Sequence, residues 1–96
     1  MDRLVLVEDI ISAIACGRVV QAVSVLGSPG SVPSQLYGTL STKKEVIVWL
    51  DYDKRLESIQ WAKQIAQNLG IRTRPVWTKK DPKCYTKEEI AQILGI

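Results

Sequence analysis

The stretch Glu45 to Asp53, E-V-I-V-W-L-D-Y-D, constrains this chain more than any other. Val46 to Leu50 is an unbroken apolar run of β-branched, aromatic and leucine side chains that stops abruptly at carboxylates. Such a run reads as a strand buried on both faces, as in a parallel sheet covered by helices. Asp51 and Asp53 lie two positions apart, so continued extension would turn both side chains to one side. Open α/β sheets bind ligands at the carboxyl ends of their strands. Two carboxylates held there repel each other unless a cation lies between them. An Asp pair in this position also suits a helix N-cap, and the sequence leaves both readings open.

The flanking pattern alternates strand and helix. Leu4 to Val7 is a short apolar strand ending at Glu8 and Asp9, followed by a helical apolar face on Ile10, Ile11, Ala13, Ile14 and Ala15 that Gly17 closes. Ala22 to Leu26 reads as a second strand, running into a Gly/Pro/Ser-rich loop from Gly27 to Ser34. That loop suits a phosphate cradle or a plain connection, without the Gly-Lys-Ser/Thr of a P-loop. After the Val46–Leu50 strand comes a helix from Lys54 to Leu69, with Leu56, Ile59, Ala62, Ile65, Ala66 and Leu69 on one face, Trp61 packing beside it and Gly70 as the stop. Ile71 to Trp77 reads as a fourth strand near the sheet edge, because Pro75 cannot donate to a ladder. Lys79 to Lys83 is a charged loop, and Thr86 to Glu89 has the spacing of a capping box before a last short helix. The expectation is a single α/β domain over residues 1–96, a compact four-stranded, mostly parallel sheet flanked by helices.

The totals exclude some chemistry. There is no histidine, so imidazole metal sites, His general bases and Ser-His-Asp triads are ruled out. Cys16 and Cys84 lack CxxC spacing and His partners, which argues against zinc, and Cys16 reads as core. A formal charge of +3 is compatible with nucleic acid without requiring it. The expected location is the cytoplasm, with no membrane partner.

If the first and third strands are neighbours, Glu8 joins Asp51 and Asp53 on one rim, since adjacent strands lie about 5 Å apart. Three carboxylates in that reach make a hard oxygen site suited to Mg²⁺ or Mn²⁺, with phosphate oxygens completing the shell. Metal-assisted phosphoryl transfer needs little more from side chains than cations to hold phosphates. Lys54, Arg55, Lys79, Lys80 and Lys83 are the candidates, each read first as a solvated surface charge and second as a phosphate ligand.

V-E-D-I-I-S-A-I from Val7, V-L-G at Val25 to Gly27, and V-W-L-D-Y-D ending at Asp53 together resemble the TOPRIM domain of primases, topoisomerases and some nucleases. K-D-P at Lys80 to Pro82 resembles the bacterial and phage primase branch. The resemblance implies a TOPRIM/Rossmann-like fold and a Mg²⁺- or Mn²⁺-dependent nucleotidyl- or phosphoryl-transfer site. By the match, Glu8 would be the family glutamate, Asp51 and Asp53 ion ligands, and Asp81 a supporting acid. Implied partners are DNA or RNA, nucleotides, and other replication proteins such as a polymerase or helicase subunit, the chain acting as a phage replication protein, a fragment or a subunit. The family pattern has Gly where this chain has Asp9, an acid at Ser12 and Gly at Leu56. A catalytically idle interaction domain of the same fold, and a receiver-like signalling module using Glu8, Asp9, Asp51 and Thr78, are the alternative readings.

Overall fold

The computed structural model describes residues 2–25, 32 and 34–96. Four strands form one all-parallel sheet: β1 (Arg3–Val7), β2 (Gln21–Ser24), β3 (Glu45–Trp49) and β4 (Arg72–Pro75), in the spatial order β2-β1-β3-β4. Each crossover carries helix, as parallel pairing requires. The helices are α1 (Ile10–Gly17), α2 (Tyr37–Leu40), α3 (Arg55–Leu69) and α4 (Lys87–Leu94). The expected four-stranded α/β architecture is therefore observed, and its central pair is β1 with β3.

Strand alternation splits the core into two layers. Leu4, Leu6, Val46, Val48 and Leu50 face Trp61, Ala62 and Ile65 of α3, with Val32 and Leu40. Val5, Val7, Ile47 and Trp49 face Ala15, Cys16 and Val20 together with Ile90 and Leu94 of α4. Every residue from Val46 to Leu50 is at most 1% exposed. Burying each such side chain stabilises the fold by about 1.5–3 kcal/mol, which is why this run acts as the keel.

Several boundaries and faces differ from the sequence reading. β2 starts at Gln21 rather than Ala22 and ends at Ser24, although Val25 N–H still donates to the Val7 carbonyl. The Gly27–Ser34 loop, and Leu26 before it, fall largely outside the described residues. α3 begins at Arg55, because Tyr52–Lys54 forms a separate 3₁₀ turn. Leu56 is 68% exposed, not on the packed face. The buried arc runs through Ser58, Trp61, Ala62 and Ile65, and a residue two positions before Ser58 projects to the opposite side at 100° per residue. On α1 the buried side is Ser12, Ala15 and Cys16, leaving Ile10, Ile11 and Ile14 exposed. Small side chains let this helix lie close on the sheet. Gly17 ends α1 without a left-handed turn, whereas Gly70 does adopt φ 65° after α3, a conformation costly for any residue with a Cβ. β4 is an edge strand, and Pro75 is its last residue. The capping box on α4 forms as expected, Thr86 Oγ1 accepting from Glu89 N–H and Glu89 Oε1 from Thr86 N–H.

Candidate functional site

The β1–β3 ladder ends at the pair Val7 and Trp49, so the next residues of both strands emerge together at the carboxyl rim. Glu8 and Asp51 occupy that rim. Leu50 N–H, donating to Ser58 Oγ at 3.3 Å, ties the end of β3 to α3 and sets where Asp51 leaves the sheet. Asp51 occupies the N-cap position of the 3₁₀ turn but accepts no capping hydrogen bond, so the helix-cap reading lacks its defining contact. Asp53 lies in that turn rather than in extended chain, and it is exposed. The same-side alignment of Asp51 and Asp53 expected from strand alternation therefore does not form, because the backbone curls into a helical turn one residue too early.

A third carboxylate arrives from beyond β4. Trp49 Nε1 donates to Thr78 Oγ1 at 3.0 Å, and Thr78 Oγ1 donates to the Lys80 carbonyl at 2.6 Å. This relay holds the loop after β4 over the end of β3 and delivers Asp81 to the rim. Tyr85 packs on Trp49 with ring centroids 6.1 Å apart, fixing the other side of the same loop. Asp81, whose part was expected only through the K-D-P match, thus reaches Asp51 where Asp53 does not. The relay through Trp49 and Thr78 escaped sequence reasoning, since no local pattern links residues so far apart.

The electrostatics of the rim centre on Asp51. Burial pushes its carboxyl up to about 7, assisted by hydrogen bonding and repulsion from Glu8 and by repulsion and hydrogen bonding from Asp81. Glu8 Oε1 and Asp51 Oδ1 are both buried without a hydrogen-bond donor. As carboxylates they are acceptors only, so a proton on Asp51, or a cation, is what the pair lacks. Among the described residues the nearest cation to Glu8 Oε1 is Lys54 Nζ at 3.9 Å, an ion pair without a hydrogen bond. Among the described residues no group of three or more Cys, Asp or Glu side chains is placed to hold a metal ion. Glu8 and Asp51 are the residues that would hold a hard divalent cation, with Asp81 acting on Asp51 beside them.

The other sequence candidates are distributed unevenly. Lys83 is committed to acids, 3.0 Å from Asp9 Oδ2 and 3.4 Å from Asp81 Oδ2. Asp9 in turn caps α1, accepting from Ser12 N–H at 2.7 Å, and this bond, ahead of Lys83, holds its carboxyl below the usual range. Arg55 stacks over the Tyr52 ring at 4.2 Å and donates to the Tyr52 carbonyl, so only Lys54 of that pair touches the carboxylate rim. Lys79 and Lys80 are exposed.

Comparison of the chain with protein-family models, curated proteins and solved structures finds no match. Among the described residues no helix is long and apolar enough to cross a membrane.

Proposed function

We propose that this chain is a TOPRIM-like domain of the primase type, a divalent-metal site for nucleotidyl or phosphoryl transfer on nucleic acid that works beside partner replication proteins. The observation that carries the reading is the pair of buried, donorless oxygens on Glu8 and Asp51 at the carboxyl rim of the central strand pair. Glu8 and Asp51 would hold Mg²⁺ or Mn²⁺, with Asp81 in support. Bound there, the ion would neutralise charge developing on a phosphoryl group. With its carboxyl raised to about 7 by burial and by Glu8, Asp51 would have to release any proton it carries to ligate a cation. Lys54 lies 3.9 Å from Glu8 and would be the cation to meet a substrate phosphate at the rim. Ser12, at the family's acidic position, is fully buried and adds no carboxylate, so the site has fewer ligands than the family pattern.

The receiver-like reading draws less support. Asp9 is taken up by capping α1 and by Lys83, and the Thr78 hydroxyl donates to a backbone carbonyl. A Mn²⁺ titration of isotope-labelled protein tests the proposal. Paramagnetic broadening is expected around Glu8, Asp51 and Asp81 and is lost in Asp51→Asn. Absence of broadening at millimolar metal would leave an interaction domain of the same fold as the better description.

A further inference from the structure

The opposite end of the sheet carries a second feature with its own chemistry. Arg3, Glu45 and Arg72 are register partners across β1, β3 and β4, so their side chains share one face, and Arg74 follows two residues later on the same face. Three guanidinium groups converge on the single Glu45 carboxylate: Arg3 Nε at 3.0 Å, Arg74 Nε at 3.5 Å and Arg72 Nε at 3.8 Å. Arg74 is further anchored by donating to the Leu94 carbonyl at the end of α4.

These groups line an open cavity of about 800 Å³ whose other walls are Val19, Val20, Leu94 and Ile96. Four cationic side chains (Arg3, Lys44, Arg72, Arg74) face two carboxylates (Asp2, Glu45), an excess of two positive charges. One carboxylate cannot satisfy three planar forks of N–H donors, and like charges this close repel. Guanidinium groups with spare donors recognise phosphate bidentately, and a cavity of this size admits a nucleotide-sized ligand.

We propose that this cavity binds a terminal phosphate, the doubly charged group of a nucleoside monophosphate, free or at the end of a strand. The arginines take the phosphate, and Val19 with the exposed Ile96 takes the apolar face of the base. Glu45 orients the arginines and competes with the ligand for them. The site lies at the amino end of β3, away from the carboxylate rim, and stands independently of the metal-site proposal.

The experiment is a titration of the full chain at low salt with inorganic phosphate and with AMP, read by NMR on arginine Nε–H groups and on valine and isoleucine methyls. Both ligands should shift Arg3, Arg72 and Arg74, and AMP should also shift the Val19 and Ile96 methyls and bind more tightly. Arg72→Gln changes a side chain that is 82% exposed and should weaken AMP binding about tenfold, the loss of one charge-assisted contact. Glu45→Gln should tighten it, an outcome that a purely structural ion cluster would not produce. A 5′-phosphorylated dinucleotide binding as well as AMP identifies a strand end as the occupant; AMP binding alone identifies the free nucleotide. Arginine signals unmoved by low-millimolar phosphate and AMP would overturn the proposal, as would AMP binding no tighter than phosphate for the nucleotide assignment.

Discussion

Glu8 and Glu45 are carboxylates of similar burial, 18% and 14% exposed, set at opposite ends of the same central strands. Their surroundings are inverted. Glu45 has three guanidinium groups within 3.8 Å, more cation than it can use. Among the described residues Glu8 has one ammonium, at 3.9 Å, and a neighbouring carboxyl, Asp51, on which Asp81 also acts. About six residues of extended chain, roughly 20 Å at 3.3 Å each, separate Glu45 from Asp51. Among the described residues the sheet therefore has an electropositive amino end and an electronegative carboxyl end, each with charge that its neighbours there do not fully neutralise. Unbalanced charge next to a well-packed core is where ligand chemistry is to be sought.

The comparison can be broken most forcefully at Trp49, which lies in the core and holds the Asp81 loop through Thr78. Trp49→Ala should cost about 3–5 kcal/mol in urea unfolding. In the folded fraction it should move amide signals around Asp81 while leaving the Arg3 and Arg72 side-chain signals in place. Movement at both ends would mean that the two rims are mechanically one unit.

Asp51→Asn should sharpen the contrast in the other direction. Removing a buried like charge should raise stability at neutral pH by on the order of 1 kcal/mol once solvent screening is allowed for, and should eliminate Mn²⁺ binding. A destabilised variant would instead assign Asp51 a structural contact. The wild-type pH profile carries the same information. With its carboxyl raised from 3.8 to about 7, folded Asp51 holds a proton that the unfolded chain has released. Its contribution therefore makes stability fall as pH rises from about 4 to about 7 and level off above, the sign expected when the native state binds more protons. Mg²⁺ should flatten that fall, and Asp51→Asn should abolish it; unfolding midpoints across the window measure both.

The smallest effects belong to the exposed members of each rim. Asp53→Asn and Arg72→Gln should each change stability by less than about 0.5 kcal/mol. If Asp53→Asn nevertheless removed Mn²⁺ broadening, the exposed turn would have to be counted among the ligands. Thermal unfolding and the metal titration, run side by side, check the pair.

Much of the fold was legible because it rests on local pattern. The Val46–Leu50 run, the strand–helix alternation and the Thr86–Glu89 box are short-range signals whose periods match the elements they specify. The helix faces were less legible. On α1 the bulky residues predict one buried side, yet the sheet takes Ser12, Ala15 and Cys16, because the packing distance to β1 and β2, not side-chain hydrophobicity, selects small residues. Leu56 failed for a related reason: the 3₁₀ turn ahead of α3 sets the helix's rotation on the sheet.

Run lengths and abrupt acidic stops put Glu8 and Asp51 at the carboxyl ends of two buried strands, and the β1–β3 pairing then makes them neighbours. Only the tertiary structure decided which third acid faces Asp51. A helical turn carries Asp53 off to solvent, while the Trp49–Thr78 hydrogen bond brings Asp81 in from beyond β4. The same holds at the other end, where Arg3, Arg72 and Arg74 meet Glu45 only because parallel register aligns three strands distant in the chain. Contacts of that kind depend on pairing order and register, which no local stretch of sequence encodes.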